Sequence, residues 1–373
     1  MSSTGDRNGN APASTGRPAW PIRGFAMGPG DGWEPVANPH QSTQKGTLVT
    51  RAIQLHPDGE LHLIDVDLPT LGPDEARVVV RRAGVNFWEV LQRRGQVRID
   101  RPTLVGSEGV GVITDCGASV DPSWIGARVA WSKVPGSYAE HIQAPITALN
   151  RVPDGISDDT AAGLLFQGAT AHYLANDTWP LGDGDTAVVT AAAGGVGRLL
   201  VQILAARGVT VVGLASDRSK QDSIRSAGAM AVLAYQDAAD ELRALVPAGV
   251  AGVFDSVGGD LPRELLSALR PRGAMVLYGA ASGRESDLGV SDLGAGSYFL
   301  TRTAGRDYAR TPDESLARAQ ALLSMANDGA IDVHVGGVWP LADAAQALDA
   351  LEARTTTGKL LLSPLADPRA GVN

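Results

Sequence analysis

The sequence predicts a two-domain α/β protein: a compact β barrel and a doubly wound parallel sheet with helices on both faces. Three observations carry this. From Thr50 to about Pro145, short alternating runs are broken repeatedly by glycine. From Thr186 to Gly279, short apolar runs alternate with helical segments of roughly 8–12 residues, the pattern of right-handed crossovers between parallel strands. The first of those runs passes into its helix through a glycine-rich turn.

Taken in order, residues 1–46 are rich in Ser, Gly, Pro, Asn and Thr and lack apolar periodicity. They bury too little to offset the entropy of ordering and read as a flexible tail, in which Trp20, Phe25 and Trp33 are candidates to dock. Residues 50–54 and 60–66 read as a hairpin about Pro57-Asp58-Gly59, and 76–83 as a further strand. Gly106, Gly109 and Gly111 punctuate the rest of the barrel. In the second domain, strands are expected at 186–191, 210–215, 231–235, 252–257 and 274–279. Helices at 196–207, 220–227, 240–246 and 262–269 lie between them. A helix at 314–326, a strand at 333–338, a helix at 342–353 and a strand at 359–362 return the chain to the first domain. The expected division is a tail (1–46), the first part of the barrel domain (47–170), the parallel-sheet domain (171–310) and the return (311–373).

Composition narrows the function. The 373 residues are 44% hydrophobic and 20% charged, enough for a sizeable core. Lys and Arg number 32 against 41 Asp and Glu, a net charge of −9, which makes a poor counter-ion for nucleic acid. Cys116 is the lone cysteine, so neither a disulfide framework nor a cysteine-rich zinc site is expected. No apolar run approaches the roughly 18 residues of a membrane span, and the first residues lack a signal-peptide pattern. A cytoplasmic protein with a small-molecule partner is the expectation.

The most informative stretch is Thr190-Ala-Ala-Ala-Gly-Gly-Val-Gly-Arg, which places Ala192, Gly194 and Gly197 at dinucleotide-fingerprint spacing between a strand and a helix. Gly194 lets the backbone approach a pyrophosphate, Gly197 lets helix and strand pack closely, and the helix N-terminus offers free N–H groups. A lone glycine triplet is weak, but here further strand–helix units follow it. At the end of the second strand, where an NAD site places an acid, stands Ser216, with Arg218 and Lys220 beyond. A small hydroxyl and a nearby cation suit a 2′-phosphate and favour NADPH. Asp217 would place a carboxylate there after a one-residue shift, and Lys220 also fits a solvated first-turn position.

Several segments together resemble the quinone oxidoreductase branch of the medium-chain dehydrogenase/reductase superfamily. They are Gly84-Val-Asn-Phe-Trp-Glu-Val-Leu-Gln-Arg-Arg-Gly, Gly106-Ser-Glu-Gly-Val-Gly, Gly136-Ser-Tyr-Ala-Glu, Gln167-Gly-Ala-Thr-Ala-His-Tyr, the glycine turn, Phe254-Asp-Ser-Val-Gly and Arg354-Thr-Thr-Thr-Gly-Lys. The resemblance spans about residues 48–363 and implies a GroES-like catalytic domain, a Rossmann domain, a cleft between them, NADPH and a homodimer. It puts Asn86, Gln167 and Thr170 near the nicotinamide and its ribose, and Ala193, Gly194, Gly195 and Val196 at the pyrophosphate. Ser216, Lys220 and Tyr235 fall at the 2′-phosphate, Arg354 reaches the cofactor, and Tyr278 through Ala280 to Ser282 lies beside the nicotinamide. Asn86, Gln167 and Arg93 are the candidates for the catalytic side. Asn86 and Gln167 equally fit buried core amides, and Tyr235 a strand-end packing residue.

Zinc members of the superfamily carry Gly-His-Glu and an upstream Cys. Here the first reads Gly106-Ser107-Glu108 and the second position lies near Asn86, so no metal is expected. Without a Lewis acid, conjugated acceptors are the tractable substrates, because charge spreads onto a delocalised oxygen that hydrogen-bond donors can hold. The expectation is hydride transfer from NADPH to a quinone or an α,β-unsaturated carbonyl. A double-bond reductase of a specialised pathway is the alternative, and a non-catalytic NADPH-binding protein a further one. A Tyr of related quinone reductases is replaced by Leu91, which opens the pocket to a bulkier, more apolar acceptor, with Trp88 and Trp131 as candidate walls. The proton donor stays open among solvent, Arg93 and a substrate group.

Overall fold

A computed structural model describes residues 48–365. The predicted tail, with Trp20, Phe25 and Trp33, lies outside the described residues. β1 (Leu48–Leu55) and β2 (Leu61–Leu68) form the expected hairpin, Leu55 opposite Leu61. β3 (Glu75–Val85) runs into α1 (Phe87–Arg93), and β4 (Thr103–Leu104) pairs with β1. β5 (Glu108–Cys116), β6 (Arg128–Ser132), β7 (His141–Pro145) and β8 (Asn150–Arg151) follow. β5 and β7 both pair antiparallel with β3. The enclosed core gathers Val78, Val80, Ile113, Val129, Trp131 and Tyr138. Trp131 is fully buried and its indole N–H donates to Ser137 Oγ (2.9 Å). It is therefore a core residue, which corrects its expected place in a pocket wall.

α2 (Asp158–Tyr173) joins the domains. Ser157 caps it, its Oγ accepting the Thr160 N–H at 3.1 Å. Buried residues run round most of its circumference, because it packs on β3 and β5 as well as on the helices of the second domain. A helix buried all round carries no amphipathic signal, which is why the periodicity did not reveal it.

The second domain is a parallel sheet of β9 (Thr186–Val189), β10 (Thr210–Ala215), β11 (Ala231–Ala234), β12 (Val250–Asp255), β13 (Leu269–Leu277) and β14 (Phe299–Arg302). The spatial order is β11-β10-β9-β12-β13-β14, so the chain reverses direction across the sheet beside β9, where α/β folds bind their ligands. α3 (Gly195–Ala206), α4 (Gln221–Ser226), α5 (Ala238–Leu245) and α6 (Leu261–Leu265) make the crossovers. Ala187 and Val189 face one apolar layer with α3, while Val188 faces the other with α5 and α6. The expected helix at 262–269 is shorter, since Leu269 already begins β13. β13 lies between β12 and β14, so the sheet's edges are β11 and β14 and residues 274–277 are internal to it. α7 (Val290–Leu293) precedes β14, and α8 (Pro312–Asn327) packs on α2. β15 (Val335–Pro340), α9 (Ala344–Glu352) and β16 (Lys359–Ser363) return to the barrel, where β16 pairs antiparallel with β3 and sets Leu361 opposite Gly84.

Candidate active site

The glycine turn is held from below by side chains. The Thr190 hydroxyl donates to Asp255 (2.8 Å) and accepts the Ser256 N–H (3.0 Å), tying the end of β9 to the end of β12. Burial raises the Asp255 pKa, and the Gly258 N–H and the Thr190 hydroxyl offset part of that rise. Ala191 takes a positive φ of 48°, and its N–H donates to the Tyr235 hydroxyl at 3.1 Å. Gly194 is exposed at the N-cap of α3, and no side chain among the described residues caps the helix. Its first-turn N–H groups are thus open to an anion. A Cβ on Gly195 would lie 1.8 Å from Gln167 Oε1, and one on Gly197 2.3 Å from the Ala191 carbonyl. Ala193 is buried beside them and Val196 is half-buried.

At the end of β10, Ser216 is exposed and Lys220 half-buried, with no ion-pair partner for Lys220 among the described residues. Asp217 is committed to its own turn: it accepts the Ser219 N–H at 2.8 Å, and that bond lowers its pKa.

A second cluster lies in the barrel. Asn86, the N-cap of α1, is buried, and its Oδ1 accepts from Lys359 Nζ at 2.6 Å. Lys359 forms an ion pair with Glu108, the two side chains 2% and 0% exposed. The other Glu108 oxygen accepts the Phe166 N–H of α2 (2.9 Å). Glu89 accepts from the Asn86 N–H (3.0 Å) and from the Ser107 hydroxyl. Burial pushes its pKa up to about 7, against the opposing pull of Ser107 and Lys359. Tyr138, raised by burial beside Glu89 and Glu108, keeps a buried hydroxyl without a partner among the described residues.

The two clusters are continuous. The Lys359 chain rests on Gly163, where a Cβ would come 2.8 Å from its Cγ. The Gly163 carbonyl accepts Gln167 Nε2 (2.7 Å), and the same amide's oxygen lies against Gly195. Asn86 and Gln167 are therefore brought to one site with the glycine turn. Thr170 lies on the next turn of α2, half-buried. Tyr278 is half-buried, its hydroxyl without a partner among the described residues, and burial drives its pKa upward. Ala280 and Ser282 belong to a loop zipped to the end of β12 by Ala281 N–H to Ser256 O (2.8 Å) and Ser282 N–H to Val257 O (2.9 Å). Arg354, at φ 58°, crosses from the barrel to donate to the Ala281 carbonyl. Arg93 is not brought to the Asn86 cluster: its guanidinium pairs with Asp349 (2.5 Å) and reaches the Gly59 carbonyl (3.4 Å). In this geometry its charge is satisfied by Asp349, away from Asn86. Lys359, Glu108 and Glu89 were missed as site residues. Their one sequence signal is a charged residue beside apolar ones: Glu108 and Lys359 at the head of largely apolar strands, and Glu89 in the first turn of α1 next to Val90 and Leu91.

Among the described residues no three His, Cys, Asp or Glu side chains are grouped as a metal ion requires, and the Lys359 ammonium stands between Asn86 and Glu108. An uncapped helix N-terminus in a Rossmann sheet, tied to a polar cluster in a GroES-like barrel, defines a two-domain dinucleotide-dependent oxidoreductase architecture.

Comparison with known proteins agrees. Residues 72–179 match the alcohol dehydrogenase GroES-like domain, and 195–321 match the zinc-binding dehydrogenase family. The chain is 32% identical to a probable quinone oxidoreductase of Schizosaccharomyces pombe, over 84% of this chain and 96% of that protein. It is 33% identical to a 2-haloacrylate reductase of a Burkholderia species, over 81% and 94%. The solved structure of Escherichia coli quinone oxidoreductase complexed with NADPH superposes with a TM-score of 0.79 at 30% identity, covering 84% of this chain and all of that one. The chain belongs to the quinone oxidoreductase branch of the medium-chain dehydrogenase/reductase superfamily.

Proposed function

We propose that the protein is an NADPH-dependent reductase of quinones and α,β-unsaturated carbonyl compounds, acting without a metal. The observation that carries this is the run of contacts from the open N-terminus of α3 through Gln167, Gly163 and Lys359 to Asn86. It connects an anion-binding turn to a hydrogen-bond donor in the barrel. The turn fits a dinucleotide because Gly194 is exposed and a Cβ at Gly195 or Gly197 would close the cradle.

In this reading Gly194, Gly195 and Val196 hold the diphosphate on their N–H groups. Ser216 and Lys220 take the 2′-phosphate, with Asp217 turned away onto Ser219. Tyr235 keeps its O–H hydrogen to donate after accepting from Ala191. Thr170, Tyr278, Ala280, Ser282 and Arg354 surround the nicotinamide end. Bound NADPH supplies the hydride. Asn86 offers an amide N–H to the acceptor oxygen on which negative charge develops, and the buried surroundings exclude water. The relative named for 2-haloacrylate favours a wider range of conjugated acceptors than quinones alone. Half-buried Leu91 leaves that side apolar. A cytoplasmic homodimer completes the reading.

The test is loss of NADPH absorbance against a panel of quinones, enones and enoyl thioesters, with NADH in parallel and elemental analysis of the purified chain. Turnover of conjugated acceptors with NADPH preferred and no zinc is expected. Retained NADPH with no turnover of any acceptor would favour a binding role, and stoichiometric zinc would remove the metal-free chemistry.

A further inference from the structure

We propose that Lys359 is a positioning residue for hydride transfer: its ammonium fixes the Asn86 amide so that the NH2 group is presented to the acceptor oxygen. This rests on the reductase reading above and deepens it.

An Asn side chain can be turned either way without changing its shape, so its orientation has to come from its partners. Here the partner decides. A lysine ammonium has three donors and no acceptor, so only an oxygen can face it. With Lys359 Nζ 2.6 Å from the amide, Oδ1 lies on the lysine side and Nδ2 on the other. The reverse placement would set N–H groups against N–H groups. Nδ2 then keeps one long contact, 3.4 Å to the Gly84 carbonyl, and its second hydrogen has no partner among the described residues. A bidirectional amide has become a donor of fixed direction.

The same geometry explains why a lysine is buried here at all. Its counter-charge is Glu108, whose second oxygen is fixed by the Phe166 N–H, so the carboxylate cannot swing away. Gly163 leaves room for the lysine chain. A buried ion pair stabilises a fold little compared with an apolar pair of similar volume, so packing alone does not account for it. Orientation of the amide does. The Glu89 carboxylate accepts the Asn86 backbone N–H at the N-cap, so backbone and side chain are held by different partners.

The experiment compares wild type, the double variant Lys359→Met/Glu108→Gln, Asn86→Ala and the triple variant combining them. The double variant removes both charges and roughly keeps volume, so it leaves no unpaired buried ion. Asn86→Ala removes the donor without adding a charge, so the triple variant is neutral there as well. The double variant is expected to bind NADPH within about 2-fold of wild type and to hold KM for the quinone within a few-fold. Its kcat should fall on the order of 10- to 100-fold, somewhat less than deleting an oxyanion donor. In the Asn86→Ala background the same two changes should cost less than about 3-fold more, because the group they orient is gone.

A double variant with wild-type kcat, or one that loses as much in the Asn86→Ala background as alone, overturns the proposal. If circular dichroism shows the double variant unfolded, Asn86→Ala alone decides, with Lys359 and Glu108 intact. A large loss of kcat at unchanged NADPH affinity supports the role, and full activity overturns it. Should wild type itself turn over no conjugated acceptor, the reductase reading falls and takes this role with it. An active wild type beside equally active variants removes the positioning role alone.

Discussion

The glycine turn and the barrel cluster solve the same problem, holding polar groups in place for a ligand, with opposite materials. The turn is backbone: Ala191 at positive φ, Gly194 exposed, and Gly195 and Gly197 pressed against neighbours that leave no room for a Cβ. The cluster is side chain: Asn86 from the end of β3, Glu108 from β5 and Lys359 from β16, with Asn86 and Lys359 separated by 273 positions. A backbone site should therefore fail by added volume, and a side-chain site by a charge left without its partner.

The sharpest way to break that contrast is the single change Lys359→Met. It strands a Glu108 carboxylate that is 0% exposed, and an uncompensated buried charge costs about 3–5 kcal/mol. Denaturant unfolding should show that loss, and adding Glu108→Gln should restore most of it. A single variant as stable as wild type would mean that the pair is not electrostatically closed.

Next in size is Glu89, whose burial-raised pKa of about 7 stands against an ordinary value of 4.5. Below about pH 4.5 both folded and unfolded forms are protonated, and its contribution is at its most favourable. Between about 4.5 and 7 only the unfolded chain releases the proton, so stability falls as pH rises. Above about 7 the full difference, on the order of 3 kcal/mol, has been lost. Glu89→Gln should flatten that slope and gain stability at pH 8 relative to wild type. Parallel stability–pH curves for the two proteins would show that Glu89 ionises as freely in the fold as in the unfolded chain.

The same contrast governs what the sequence disclosed. The alternation of strands and helices and the glycine turn were legible because they are local: strand, turn and helix follow one another, and the fingerprint lies within Ala192 to Gly197. The resemblance named Asn86 and Gln167 but gave no partner for either. The Lys359 contact depends on the return of β16 beside β3, a pairing that no periodicity announces. α2 was hidden because a helix apolar on nearly every side has no stripe to read. The surroundings of Trp131 and Arg93 were hidden for a related reason: composition tells that an indole and a guanidinium need partners, and only the fold tells that Ser137 and Asp349 supply them.

On the backbone side, Gly197→Ala brings a Cβ within 2.3 Å of the Ala191 carbonyl, and no flexible side chain can relieve that contact. Overpacking of this kind costs about 1–3 kcal/mol and distorts the turn. NADPH affinity, measured by fluorescence titration, should fall by more than the modest stability loss alone explains. Unchanged affinity would show that the turn yields, and that the site is less dependent on backbone than its geometry requires.

The smallest effect is expected at Arg93, and it separates the two ways of placing a residue. By resemblance it belongs to the catalytic side. By geometry its charge is already satisfied by Asp349, in a pair whose members are 23% and 61% exposed. Partly exposed pairs contribute about 0–1 kcal/mol, so Arg93→Ala should lower stability by no more than that, and less in high salt. Its kcat/KM with quinone should stay within about 3-fold of wild type, since no contact links the guanidinium to Asn86, Lys359 or Glu108. A drop beyond tenfold at unchanged stability would mean that Arg93 leaves Asp349 when substrate binds, and the barrel cluster would then have to include it.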